Sequence, residues 1–363
     1  MAALLLTVSG IIDAANSDRI ARGERPRADY IEMARGLDAD LIDYSRMRRS
    51  GGFFAQLLER LGGRNARLAW ECWRQRSRYD MLFTDGEQVG IPLALLLKVL
   101  GRGPRRTTHV MIVHTLSVGK KMKFFDWFGI QSHIDRFFVY STWQKTFIEK
   151  RWSVPPEAVI FTPFMVDDRF FSAEHADARE TAPSRPMICA VGLERRDYPT
   201  LMRAVRDLPV DVVIAAASPW SKQADNTMDA ELPPNVSRRK FTQFELRQLY
   251  ADAAFMVMPL YNVTFQAGVT AILEAMSMER AVVCSLTPGQ TDVIVDGESG
   301  IYVAPEDTAA LRAGIVRLLD DPGEAARLGA AGRRVIEERM NLDAYVAGFR
   351  KHLAALQARG TPR

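Results

Sequence analysis

Short β-branched or apolar runs alternate with longer helical patterns through most of the 363 residues, and that alternation restricts the chain to parallel sheets sheathed by helices on both faces. In the first half the predicted strands are 4–9 ("LLLTVS"), 40–44, 81–85, 109–114 ("HVMIVH"), 136–141 and 158–163, with helices over 29–36, 64–78, 87–100 and 142–151. The rhythm lapses in "SAEHADARETAPSRP" (172–186), which is charged, contains Ala and Pro and lacks apolar periodicity, so it reads as a linker. A second series follows: strands at 187–193, 211–218, 235–241, 254–260, 280–286 and 300–305, with helices near 198–207, 243–251 and 268–278. Helices over 307–320, 323–338 and 342–357 close it. A chain of this length exceeds one hydrophobic core. The expected fold class is therefore α/β, with two doubly wound domains facing each other across a cleft and ligands beyond the carboxyl ends of the strands. The expected boundaries are 1–170, a linker at 171–186, 187–340, and a C-terminal helix within 341–363 packing back toward the N-terminal domain.

Composition removes several alternatives. Cys72, Cys189 and Cys284 are odd in number, widely spaced and in no CxxC pattern, which argues against a disulfide framework or a structural zinc site and fits a reducing cytoplasm. "MAALLLTVSG" lacks a basic leader region and reads as a first strand. The longest apolar run, "IPLALLLKVL" (91–100), is too short to span a bilayer. The net charge of +4 is unevenly spread. Residues 1–170 carry 26 Lys+Arg against 19 Asp+Glu, or +7, and the remainder 22 against 25, or −3. Within 101–150 the count is 9 against 3. A basic first half suits an anionic partner, although no nucleic-acid-binding module is recognisable and none is expected.

The stretch "YNVTFQAGVTAILEAM" (261–276) is the most informative chemically. A strand ending near Leu260 leads through a loop into a helix starting near Gly268, so the N–H groups of Gly268, Val269 and Thr270 would point out of the helix N-terminus as an anion site. Glu274 lies one turn beyond Thr270 on the same face. A carboxylate there suits the vicinal hydroxyls of a ribose.

"FQAGVTAILEAMSMERAVV" (265–283) resembles the hallmark segment of the retaining glycosyltransferases of family 4: a Glu, seven residues, a second Glu followed by Ala-Met, a short turn and an apolar strand. "YSTWQKTFIEKRWSVPPEAVIFTPFMVDDRFF" (140–171), "VGLERRDYPTLMRAV" (191–205) and "DVIVDGESGIYVAPEDTAAL" (292–311) resemble further segments of that family in the same order. The resemblance covers 105–340 and implies a GT-B fold of two Rossmann-like domains. It also implies a nucleotide-diphosphate sugar on the second domain, an acceptor on the first, retention of anomeric configuration, and neither cofactor nor metal.

Position by position, the resemblance makes Glu274 the ribose ligand. Arg195 and Arg196 become the basic loop at the pyrophosphate, with Arg196 on the family lysine, and Asp292 stands for an acid near the diphosphate and sugar. His114, at the end of "HVMIVH", falls on the family histidine near the donor sugar. Gln266 occupies the place of the first Glu, which touches the donor sugar. A neutral amide there either retunes sugar choice or leaves a non-catalytic nucleotide-sugar-binding or scaffold subunit, and both readings stay open. Asp85 and Glu87 in "FTDGEQ" (83–88) are acceptor-contact candidates, and Ser141 reads as a helix cap. "DAD" (38–40) imitates a metal-binding DxD but falls in a turn. "GKKMKFFDWFG" (119–129) sets three lysines among aromatics, as a membrane-surface segment does. A buried aromatic cluster edged by lysines has the same composition. The expected acceptor is anionic or lipid-linked, and the expected location is cytoplasmic, peripheral on the membrane's inner face.

Overall fold

The computed structural model describes residues 3–47, 52–101, 107–177, 184–216 and 231–358. The chain forms two compact units. One comprises Met1–Asp18, Arg27–Thr162 and Tyr345–Arg363, the other Arg19–Pro26 and Pro163–Ala344.

In chain order the first unit holds β1 (Leu4–Val8), α1 (Ala14–Ala21), α2 (Asp29–Leu37), β2 (Ala39–Ile42), α3 (Tyr44–Met47), α4 (Phe53–Gln75), β3 (Met81–Asp85) and α5 (Glu87–Leu100). It continues with β4 (Thr108–Val113), α6 (Gly119–Phe128), β5 (Arg136–Val139), α7 (Thr142–Trp152) and β6 (Val159–Phe161); the end of α1 groups with the other unit. Its sheet is parallel throughout, in the order β2-β1-β3-β4-β5-β6. Leu82, Phe83, Val110, Met111, Ile112 and Val113 are all buried, as a parallel sheet covered on both faces requires.

The second unit holds β7 (Met187–Val191), α8 (Tyr198–Val205), β8 (Asp211–Ala215), β9 (Val236–Arg239), α9 (Gln243–Asp252), β10 (Met256–Met258), α10 (Val269–Ser277), β11 (Val282–Ser285), β12 (Ile301–Val303), α11 (Thr308–Asp320) and α12 (Pro322–Val335). This sheet is also parallel, ordered β12-β11-β10-β7-β8-β9. The chain therefore leaves β7 toward one side and returns to its other side as β10. The carboxyl ends of β7 and β10 flank the switch point where such sheets bind ligands.

The last helix, α13 (Leu342–Ala358), passes from the second unit's segment into the first's. Within the first unit, Phe349 packs edge-on against Phe83 and Phe138 at 5.2 and 4.7 Å, Tyr345 bonds Tyr140 hydroxyl to hydroxyl at 2.6 Å, and Arg350 Nε donates to the Gly36 carbonyl at 2.9 Å. Residues 163–170, expected with the first domain, cluster with the second unit. Val166 bridges the chain near Asn341 there, donating to Met340 O and accepting from Leu342 N.

Sequence and structure agree on the order of elements and differ at their ends. Strands over 81–85 and a helix over 87–100 appear as expected, whereas 254–260 shortens to Met256–Met258, with Leu260 turned into a separate antiparallel bridge to Arg196. The helix expected at 64–78 begins at Phe53 and breaks its dihedrals at Gly63 (φ 75°). Ser141 caps α7, accepting from Gln144 N at 3.2 Å. Asp38 of "DAD" is the left-handed C-cap of α2, and the described residues contain no carboxylate, His and Cys cluster suited to a metal. All three cysteines are buried and free.

Candidate functional site

The two loops at the switch point of the second sheet are sewn together by backbone bonds. Asp197 N donates to Pro259 O at 3.0 Å and Tyr261 N to Arg195 O at 3.1 Å, around an antiparallel bridge between Arg196 and Leu260. This turns Arg196 inward, leaving it 5% exposed, with Nε bonded to Val191 O at 2.8 Å and Nη1 to Glu194 O at 2.6 Å. Glycines wall its guanidinium on two sides. A Cβ at Gly268 (φ 82°) would stand 3.2 Å from Arg196 Cζ and 2.6 Å from Met258 Sδ, and one at Gly192 (φ 98°) would strike Nη2. Only glycine fits these positive dihedrals without strain. Arg195 also has a positive φ (58°), but its side chain is exposed.

Gly268 is the N-cap of α10. The first helical rung runs from Ile272 N to Gly268 O at 3.1 Å, so the N–H groups preceding it belong to Val269, Thr270 and Ala271, one residue later than expected. Val269 is buried and Thr270 exposed. The Arg196 guanidinium therefore lies at the positive end of the α10 dipole. Two sources of positive potential converge there, an arrangement that suits an anion.

Glu274 is 6% exposed and accepts from Tyr250 Oη at 2.8 Å. Burial pushes its carboxyl up to about 7, against the lowering pull of the Tyr250 hydroxyl. Tyr250 feels both the Glu274 carboxylate and the Arg196 guanidinium, which locates all three at one end of the sheet. Sequence reasoning missed Tyr250, which lies on α9 with no motif to mark it. Gln266 is half-buried, and its Oε1 is enclosed without a hydrogen-bond partner. The loop carrying it is held by Gly289 N to Val263 O at 3.2 Å and Gln290 Nε2 to Ala267 O at 2.8 Å. Asp292 lies just beyond that contact, half-buried, and is one of the groups that, after burial itself, favour the protonated Tyr302 hydroxyl.

The first unit gathers titratable side chains at the ends of β3 and β4. His114, the residue after β4 rather than its last, has Nε2 3.6 Å from Asp85 Oδ1 and its ring 5.3 Å from that of Tyr140. Burial disfavours the imidazolium, but Asp85, Glu87 and Asp29 together outweigh it and raise the His114 pKa. Asp29, at the start of α2, is pushed up to about 6 by burial and by repulsion from Asp85. Asp29, Tyr140 and Tyr345 are members of this cluster that sequence reasoning did not find, since they come from distant segments without a shared motif.

Glu87 corrects an expectation. It is fully buried and accepts from His114 N at 3.0 Å, Thr115 N at 2.8 Å, Thr115 Oγ1 at 3.0 Å and Lys121 Nζ at 2.6 Å. Burial opposes its charge, yet His114 and Lys121 hold its pKa at about 2. With its oxygens consumed inside the protein it is no acceptor ligand; it positions the turn that carries His114. Lys121, one of the three lysines set among aromatics in 119–129, turns inward to make this pair.

This architecture, two six-stranded parallel sheets with a phosphate-type cradle at the second switch point, is that of the GT-B class. Residues 189–321, within the second unit, match the family described as glycosyl transferases group 1. A D-inositol 3-phosphate glycosyltransferase of Streptomyces bingchenggensis is 38% identical over 89 residues, which are 24% of this chain and 19% of that relative. A glycogen synthase of Mycobacterium tuberculosis is 37% identical over 84 residues, 23% of this chain and 19% of the relative. The chain thus spans about a fifth of the length of these curated relatives. Among solved structures, sucrose-phosphate synthase of Thermosynechococcus elongatus superposes with a TM-score of 0.73 at 16% identity, covering 99% of this chain and 100% of that one. HepE of Anabaena, in complex with UDP, gives 0.70 at 15% identity over 98% and 100%. At such identities the likeness is one of fold.

Proposed function

We propose that this protein is a glycosyltransferase that moves a sugar from a nucleotide-diphosphate sugar to an acceptor hydroxyl, with retention, in the manner of family 4, and without metal or cofactor. The observation that carries the reading is the buried Arg196 guanidinium set between Gly192 and Gly268 at the N-terminus of α10. Departure of a nucleoside diphosphate builds negative charge on the β-phosphate. A fixed cation and preorganised N–H donors aimed there lower the barrier without reorganising, and one such donor is typically worth about 3 kcal/mol. Glu274 would hold the ribose hydroxyls, Gln266 would meet the sugar, and Arg195, Thr270 and Asp292 would line the donor's path. The acceptor hydroxyl would attack from the leaving-group side, the departing phosphate oxygen taking its proton. His114 and Asp85 are the polar groups that the first unit offers, and its basic charge favours an anionic or lipid-linked acceptor at the cytoplasmic face of a membrane. The UDP bound by HepE makes uridine donors the first to try.

The experiment is donor hydrolysis without acceptor, across a panel of nucleotide sugars, with and without a chelator. Release of nucleoside diphosphate that is insensitive to the chelator supports the reading, and the anomeric configuration of a transferred product tests retention. Gln266 favours a second reading, a non-catalytic nucleotide-sugar binder. In that case thermal shifts with nucleotide sugars persist while no donor is consumed.

A further inference from the structure

The segment 119–129 divides its side chains in a way its sequence does not reveal. On α6, Lys121 is turned inward to Glu87 and Phe125 is buried. The helix's acid, Asp126, is bound by Arg151 Nη2 and Trp152 Nε1, both at 2.7 Å. Exposed side chains on the helix, besides the paired Asp126, are Lys120, Lys123, Phe124, Trp127 and Phe128, spaced three or four residues apart along one stripe. Trp127 is 70% exposed, and Lys123 Nζ stands 5.3 Å from its ring centroid. The end of α5 joins this face. Lys98 Nζ donates to Phe128 O at 2.6 Å and Gly129 O at 3.0 Å, which brings the exposed Val99 and Leu100 alongside.

We propose that this face, the outer stripe of α6 with the end of α5, is a docking surface for an anionic lipid bilayer. Large aromatics left in water are costly singly and informative when contiguous. Here they are interleaved with lysines while the helix's own carboxylate is paired with Arg151, a charge pattern complementary to acidic headgroups. Lysine stems reach outward past the rings, and tryptophan partitions to the depth of the headgroups. Among the described residues no helix is long and apolar enough to cross a membrane, so attachment at this face is peripheral. The inference does not depend on the sugar-transfer reading, and its test is independent of donor turnover.

The test is co-sedimentation of the full chain with phosphatidylcholine vesicles, with and without phosphatidylglycerol, at low and raised salt. Wild type should bind only the phosphatidylglycerol vesicles, release at raised salt, and shift its tryptophan emission to the blue. Lys120→Glu with Lys123→Glu should lower partitioning at least tenfold, since each lysine near an anionic surface contributes about 1 kcal/mol and reversal more than doubles the loss. Trp127→Ser should weaken binding and remove much of the blue shift. Phe53→Ser with Leu61→Ser, on the separate exposed patch of α4, should leave binding unchanged. These positions are exposed, and equal melting temperatures would confirm that the variants fold. Failure of wild type to bind anionic vesicles at low salt overturns the proposal, as does a Lys120→Glu, Lys123→Glu variant that binds normally. A vesicle-free dimer abolished by Trp127→Ser assigns the face to a second copy instead, and also overturns it.

Discussion

The two units place their polar groups at equivalent positions, the carboxyl ends of parallel strands, and build them from opposite materials. In the second unit the cradle is backbone and one buried guanidinium, walled by Gly192 and Gly268 and held by the carbonyls of Val191 and Glu194. In the first unit the cluster is all side chains, His114, Asp85, Asp29 and Glu87, and the protonation of His114, Asp29 and Glu87 depends on charged neighbours within it. Backbone N–H donors keep their potential across pH, whereas Glu274 in the second unit and the cluster of the first change with it.

The sharpest way to break this comparison is to fill the cradle. Gly268→Val places a branched Cβ against Met258 and Arg196 at a positive φ, and should abolish nucleoside-diphosphate binding measured by calorimetry, while Arg196→Ala should weaken it on the order of a hundredfold. Unchanged affinity in both would remove the cradle from the argument.

Glu274 offers the next largest effect. Its carboxyl is raised from 4.5 to about 7, so the folded state prefers the proton; the associated stability is present below pH 4.5 and lost as pH rises to 7. Glu274→Gln, which keeps an acceptor for Tyr250, should therefore stabilise the protein by about 3 kcal/mol at pH 8 and hardly at all at pH 4.5. Urea titrations at the two pH values check this. Nucleotide binding by the same variant should be weakened most above pH 7, where the wild-type carboxylate is charged.

A smaller effect sharpens the local capping assignment. Ser141→Ala removes the acceptor for Gln144 N and should cost about 1 kcal/mol in denaturant unfolding. The smallest concerns the first unit's reciprocity. Asp85→Asn should lower the His114 pKa, followed by NMR of the ring protons. Because the three carboxylates raise that pKa above 6.5, the favourable charge is present below 6.5 and lost as pH climbs through the raised value. An unmoved titration would show that Asp85 does not face the ring.

How much of this was legible in the sequence follows the same division. The alternation of strand and helix fixes both sheets, and the Gly268 turn into α10 could be read from a local stretch, because backbone geometry is written in glycine and helix-start signals. The position of Arg196 was legible, but not its burial, which depends on bonds to the 259–261 loop. Glu87 misled because a carboxylate at a strand end looks the same whether it faces solvent or is bonded by the turn after β4. Asp29 and Tyr345 were out of reach. They join His114 and Tyr140 through chain separations that no local pattern encodes. The part of α4 before Arg64 was not found, because Gly63 interrupts the helical dihedrals there.

The route of α13 bears on how the chain assembles during synthesis. Phe83 and Phe138 meet Phe349 only after some two hundred further residues have been translated, so the unit encoded first must wait with an apolar sheet face uncovered. The second unit, nearly continuous in sequence, has no such delay. Shortening the chain from its C-terminal end should therefore harm the earliest-made part of the protein, and holdase chaperones are expected to engage nascent chains that have not yet reached α13.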